Sequence, residues 1–234
     1  MKSNIQDKTK LVNSVFSKVY KRYDLMNDIL SLGLHRVWKE RFIQWMSPQQ
    51  NTKLIDVASG TGDIAKLFSQ KTNNNSEIIC LEPNMEMLQE GRVKLKNFNN
   101  VRWINASAEK LPFDSDMFDY YSISYGIRNV NDINRTLREA FRVLKTGGRF
   151  MCLEFSKVDN EILDLFYQKY SKTIPYIGKF IVGSEKPYKY LVKSIESFIS
   201  QKELVKLMRE NGFSNIEFRN LSNGISAIHS GWKI

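Results

Sequence analysis

Asp56, Gly60, Thr61, Gly62 and Asp63 crowd into eight residues between an apolar run, Leu54-Ile55-Asp56-Val57-Ala58, and a helical pattern through Ile64, Ala65, Leu67 and Phe68. Glycines at such a junction let the chain turn sharply and let a ligand approach the backbone closely. The turn alone does not choose between a dinucleotide and other adenosine cofactors. A dinucleotide wants a third glycine where its pyrophosphate meets the helix start, and Asp63 stands there. A carboxylate repels a pyrophosphate but suits a cofactor bearing a sulfonium and an ammonium. Glu82 ends the next apolar run, twenty residues past Gly62, where a carboxylate accepts hydrogen bonds from ribose hydroxyls. Ser107-Ala108-Glu109 precedes Leu111-Pro112-Phe113, a stretch whose backbone can read an adenine edge and whose apolar groups can flank its face. Together these residues favour S-adenosylmethionine.

The elements that must position them follow from periodicity. Residues 11–46 read as two or three amphipathic helices through Val12, Val15, Phe16, Val19 and Tyr20, then Trp38, Phe42, Trp45 and Met46, with a turn at Gly33. After the glycine turn and its helix come strand 78–82, helix 84–96, strand 101–105, strand 118–124, helix 132–144, a turn at Gly147-Gly148 and strand 149–155. This alternation predicts an α/β fold with a mostly parallel, doubly wound sheet. Residues 159–195, rich in Tyr, Phe and Lys, read as an inserted lid. Residues 201–211 read as a helix, and 215–219 with 225–233 as a closing strand pair turning near Asn223-Gly224. The expected organisation is one domain over 1–234: a helical cap at 11–46, a cofactor-binding core at 53–156, the lid, and a C-terminal helix and strand pair at 201–234.

The chain has 234 residues, 42% hydrophobic and 26% charged, with a formal net charge of +10. That composition suits one folded α/β domain. The positive surplus fits an anionic membrane surface, nucleic acid or plain solubility; with no arginine-rich tract and no Cys/His finger spacing, a nucleic-acid module is the weaker reading. No apolar run approaches the roughly 20 residues that span a bilayer, and Met1 to Lys10 lacks the apolar core of a signal peptide. Cys80 and Cys152 each lie inside an apolar run and read as free core thiols, which fits a cytoplasmic location. With only His35 and His229 and no cysteine cluster, no metal site is expected.

Longer patterns sharpen this. The order Asp-x-Ala-x-Gly-x-Gly, acidic strand end, Ala-Glu-x-Leu-Pro-Phe, Phe118-Asp119 and Leu144-Lys145-x-Gly-Gly resembles the Rossmann-like, class I S-adenosylmethionine methyltransferases. Residues Tyr23 to Trp38 resemble the N-terminal signature of the ubiquinone/menaquinone biosynthesis C-methyltransferases, and Arg142 to Ser156 their second signature. Ser124-Tyr125-Gly126-Ile127-Arg128-Asn129-Val130 is similar to a further family segment, as is the closing His229-Ser230-Gly231-Trp232-Lys233. The chain departs from the family at Thr146, where proline is usual, at Ser59, and at Glu82, where aspartate is commoner. The resemblance implies cofactor contacts by Thr61, Glu82, Ser107 with Ala108, and Ser124, over a floor of Asp56, Gly60 and Gly62. It implies methylation of a ring carbon in a reduced, prenylated quinone precursor: a 2-polyprenyl-6-methoxybenzoquinol, demethylmenaquinol, or both.

The chemistry asks for an electron-rich carbon, hence a quinol, and best its phenolate. A phenol's pKa is about 10, and a neighbouring cation can lower a pKa by roughly 1–3 units. Arg128 is the candidate cation; the alternative is a surface arginine paired with Asp132. Asn129 either orients ring hydroxyls or caps the next helix. Tyr23 either closes over the cofactor or packs in the core, and His35 either takes a proton or is structural. The lid interleaves Tyr167, Tyr170, Tyr176, Phe180, Tyr188 and Tyr190 with Lys169, Lys172, Lys179, Lys186 and Lys189. It reads either as a surface for the inner, anionic face of a membrane or as a helical lid with a solvated lysine face. A homodimer and a quinone-biosynthesis complex both stay open.

Overall fold

The computed structural model describes residues 23–158 and 185–234, together with Val12, Ser14, Ser17, Tyr170, Thr173, Ile174 and Tyr176. The side chains of Tyr23, Asp24, Met26 and Leu30 fall outside the described set. So do most of the first expected helix and of the lid, including Val15, Phe16, Val19, Tyr20, Tyr167, Phe180, Lys169, Lys172 and Lys179.

Seven strands form one sheet in the order β3-β2-β1-β4-β5-β7-β6. They are β1 (Lys53–Val57), β2 (Glu77–Leu81), β3 (Val101–Ile104), β4 (Phe118–Ser124), β5 (Leu144–Phe155), β6 (Ser214–Leu221) and β7 (Ser226–Trp232). The first five pair in parallel, and β7 runs against both β5 and β6. This is the expected mostly parallel α/β sheet with an antiparallel C-terminal strand. The strand order turns outward from β1 on one side and from β4 on the other, so the crevice at their carboxyl ends is the natural ligand site.

Strand side chains alternate between two cores, as a pleat of period two requires. Leu54, Ile78, Cys80, Tyr120 and Met151 face one way, and Ile55, Ile79, Tyr121, Phe150 and Cys152 the other. Helices α1 (Tyr23–Ser31) and α2 (Leu34–Met46) form the cap, and α3 (Asp63–Lys71) and α4 (Met85–Lys94) follow β1 and β2. Trp38, Phe42, Phe68 and Met87 join the first core, as do Tyr188, Leu191 and Ile195 of the lid helix α6 (Lys186–Glu196). Helices α5 (Ile133–Val143) and α7 (Gln201–Glu210) cover the second face through Leu137, Ala140, Leu204 and Met208. Both cysteines are buried core thiols.

Local signals explain the boundaries. Asn84 and Asp132 accept from the N–H groups of Met87 and Arg135 and start α4 and α5. Ser200 and Glu203 form a capping box on α7. The turn at Gly147-Gly148 does not precede β5, as the sequence pattern suggests, but lies within it. Phe118 pairs with Leu144 and Tyr120 with Arg149, so the intervening residues bulge out of the ladder, with Gly147 at φ 80°.

Candidate cofactor and acceptor site

The first strand ends at Val57, and Ala58 then takes φ 53°. The fourth ends at Ser124, and Tyr125 takes φ 54°. Two neighbouring strand ends thus carry non-glycine residues in the left-handed region, a strained arrangement that is commonest at functional sites. Two depressions share these residues. One runs past Gly60, Glu82, Met87, Ser107, Ala108 and Asn129. The other is lined by Lys39, Asp56, Ser59, Thr61, Asp63 and Ser124.

Glu82 is held from both sides: Gly60 N donates to its Oε2 at 2.9 Å and Asn84 N to its Oε1 at 2.9 Å. The glycine turn and the start of α4 are therefore tied to one buried carboxylate. Burial pushes that carboxyl up to about 7, against the pull of the two amides. Gly62, at φ 86°, precedes α3, and a Cβ there would stand 2.7 Å from Leu95 Cδ1. Asp56 pairs in register with Ser122 on β4, whose hydroxyl donates to Asp56 Oδ1 at 2.6 Å. Asp56 Oδ2 and Ser124 Oγ are buried with no partner among the described residues. Burial, opposed by the Ser122 bond, pushes the Asp56 carboxyl up to about 7.

An adenosine cofactor with an amino-acid tail fits these groups. Glu82 keeps lone pairs for ribose hydroxyls, and Ala108 and Met87 offer apolar surface beside it. The two orphaned polar atoms would suit the polar tail. The cofactor is S-adenosylmethionine, as the sequence implied; of the expected contact residues, Gly60, Glu82, Ser107 and Ala108 line the first depression and Asp56, Thr61 and Ser124 the second, with Gly62 at the start of α3.

Asp63 behaves differently from the sequence reading. Lys39 Nζ lies 2.6 Å from its Oδ2 and Lys94 Nζ 2.7 Å from its Oδ1, and Lys94 also donates to Thr61 Oγ1 at 3.2 Å. The two lysines hold the Asp63 carboxyl below its ordinary value despite burial. Its charge is thus compensated locally, and Asp63 does not repel a pyrophosphate as a bare carboxylate would.

Arg128, in the loop after β4, is not the surface arginine paired with Asp132. Its Nη1 donates to Glu154 Oε1 at 2.6 Å and to Tyr125 O at 2.6 Å, its N to Glu154 Oε2, and its Nε to Ser194 Oγ on α6 at 3.3 Å. Asp132 caps α5 instead, so Asn129 does not. Asn129 lies in a short 3₁₀ turn (Ile127–Asn129), lines the crevice, and accepts at Oδ1 from the Tyr190 hydroxyl at 3.0 Å. Tyr23 begins α1, and its side chain lies outside the described residues. His35 is structural: Ser31 Oγ lies 3.1 Å from Nδ1, and burial lowers the ring's pKa to about 4.

Sequence reasoning missed Lys39 and Glu154, and placed Tyr190 in the lid without its contact to Asn129. Two signals were present. Lys39 sits on the buried face of α2 with His35, Trp38, Phe42 and Ile43, and a lysine there needs a partner. Glu154 sits in an otherwise apolar strand, which asks the same question. The signature residues beyond the crevice hold the frame. Arg36 pairs with Asp28, and Arg149 donates to Ser230 Oγ and lies between the Trp45 and Trp232 rings.

The comparisons agree with this geometry. The model of the ubiE/COQ5 methyltransferase family matches residues 2–233. A ubiquinone/menaquinone biosynthesis C-methyltransferase UbiE of Rickettsia bellii is 49% identical over 240 residues, covering all of this chain and 96% of the relative. The UbiE of Brucella abortus is 45% identical, covering 97% of this chain and 87% of its own length. Among solved structures, a S-adenosylmethionine-dependent methyltransferase of Thermotoga maritima, a possible histamine N-methyltransferase, superposes with a TM-score of 0.66. It is 22% identical and covers 94% of this chain and 99% of its own; this likeness speaks for the fold alone. With its matched length, sheet order and crevice in agreement, the chain belongs to the ubiE/COQ5 methyltransferase family.

Proposed function

We propose that the chain methylates a ring carbon of a reduced, prenylated quinone precursor, a methoxybenzoquinol or demethylmenaquinol, in ubiquinone or menaquinone biosynthesis. The carrying observation is that 49% identity to a UbiE runs over the whole chain, cap and lid helix included, and not only over the cofactor strands. The whole chain acts as one methyltransferase domain, with cap and lid helix packed on the same sheet face.

S-adenosylmethionine supplies an electrophilic methyl group when bound. The protein's own residues do the rest by holding and orienting. Glu82 takes the ribose hydroxyls, Ser107 and Ala108 border the base, and Thr61 and Ser124 hold the tail side. Asn129, fixed by Tyr190, meets the ring hydroxyls at the same crevice. Arg128 acts on the phenol at reduced strength, because a Glu154 oxygen at 2.6 Å offsets most of its field. Alignment of the reacting atoms, which can supply roughly 7–11 kcal/mol, then outweighs ionisation of the quinol.

Among the described residues no helix is long and apolar enough to cross a membrane. A prenylated acceptor resides in lipid, and exposed Lys186, Lys189 and Lys193 on α6, with Tyr176 70% exposed, favour contact with an anionic membrane surface. The function is tested by expressing the chain in bacteria that lack their own enzyme for this step. Mass spectrometry should find the methylated quinone restored; persistent accumulation of the unmethylated precursor would overturn the proposal.

A further inference from the structure

Tyr190 and Ser194 stand four residues apart on the lid helix α6, hence on one face of it. Each holds one of two consecutive residues in the turn after β4. The Tyr190 hydroxyl lies 3.0 Å from Asn129 Oδ1, and Ser194 Oγ accepts from Arg128 Nε at 3.3 Å. The two held residues are presented differently. The Arg128 side chain is 2% exposed and turned to Glu154, while Asn129 lines the crevice beside Ala58, Tyr125 and Gly126.

A primary amide has an accepting end and a donating end, and the end already engaged decides which one a ligand meets. The Tyr190 hydroxyl donates to Asn129 Oδ1. Asn129 Nδ2 turns one N–H towards Tyr125 O at 3.5 Å, a carbonyl that can only accept. Both contacts select the same orientation of the amide and leave its second N–H for a ligand.

We propose that Tyr190 is a positioning residue that sets Asn129 to donate to the ring oxygen of the acceptor. The proposal rests on the reading of the chain as a quinol methyltransferase. Electron density on that oxygen makes the neighbouring carbon nucleophilic, and a fixed N–H donor favours its ionised form. An amide carbonyl in the same place would repel it. Without the Tyr190 hydroxyl the amide can turn either end to the acceptor. The lid helix thus acts on the chemistry through Asn129, at one remove from the reacting atoms.

Tyr190→Phe removes one hydroxyl and keeps the ring. With labelled S-adenosylmethionine and a prenylated quinol, its kcat should fall about 10- to 100-fold, the range of one hydrogen bond to a charged oxygen. S-adenosylhomocysteine affinity and melting temperature should stay near those of the wild type. Asn129→Leu should lower kcat by a similar factor, and adding Tyr190→Phe to it should cost no more. Unchanged kcat in Tyr190→Phe, a matching loss of S-adenosylhomocysteine affinity, or losses that multiply in the double variant would overturn the proposal. If Tyr190→Phe melts below the assay temperature, Asn129→Leu decides: full kcat there overturns the donor that Tyr190 is said to set. A wild type that labels no quinol while S-adenosylhomocysteine binds would overturn the quinol reading itself, and this proposal with it.

Discussion

Arg128 Nη1 lies 2.6 Å from Glu154 Oε1, with the two side chains 2% and 1% exposed. The pair joins the loop after β4 to the end of β5, and the Ser194 contact extends it to α6. Burial pushes the Glu154 carboxyl up, and Arg128 and two backbone amides pull it back. Removing one partner strands a buried charge, which costs roughly 3–5 kcal/mol. Glu154→Gln should therefore lower the urea midpoint strongly, while Arg128→Met with Glu154→Leu should lose less than the sum of the single changes. Additive losses would mean that the pair is not coupled.

The loops after β1 and β4 touch at one point. A Cβ on Gly126 would stand 2.5 Å from Ala58 Cβ. Gly126→Ala should force the loops apart, destabilising by roughly 1–3 kcal/mol and weakening S-adenosylhomocysteine in titration. Gly147→Ala meets nothing within 4 Å and carries only the strain of φ 80°, so it should leave cofactor affinity unchanged.

Much of this is legible in the sequence. Strand 118–124 falls where its pattern put it, and the spacing from the glycine turn to Glu82 brought the two together, Gly60 N donating to Glu82 Oε2, because short local junctions dictate them. Other pairings were hidden by distance along the chain. Lys39 and Asp63 lie 24 residues apart and Arg128 and Glu154 26 apart, and nothing local ties one to the other. Tyr190 reaches Asn129 across 61 residues, a contact that depends on how the lid helix packs.

Cofactor affinity should depend on pH through Glu82. Its carboxyl is raised to about 7, chiefly by burial, and ribose hydroxyls donate to the ionised form. S-adenosylhomocysteine should therefore bind more tightly as pH rises from about 6 to 8, by up to about tenfold per unit below the pKa. Glu82→Gln should bind more weakly and lose its share of that slope, while Asp56, also raised to about 7 by burial, keeps the remainder. The same raised pKa works against the free protein: its folded state holds a proton that the unfolded chain releases, so this contribution to stability is lost as pH rises from 4.5 towards about 7.

The exposed lysines of α6 should be felt in membrane binding. Lys186→Glu with Lys189→Glu should reduce sedimentation with vesicles containing anionic lipid, with each lost charge worth about 1 kcal/mol near such a surface. The wild type's binding should also fall with salt. Equal binding to neutral and anionic vesicles would remove the electrostatic account of this face.

Methyl transfer to an electron-rich ring carbon is tested most directly with purified protein and methyl-labelled S-adenosylmethionine. The acceptors should be a prenylated methoxybenzoquinol and demethylmenaquinol, each kept reduced or oxidised. Label should appear on carbon in a reduced quinol and be absent from the oxidised ring. Label in the oxidised form, or none in either quinol while S-adenosylhomocysteine still binds, would contradict this chemistry.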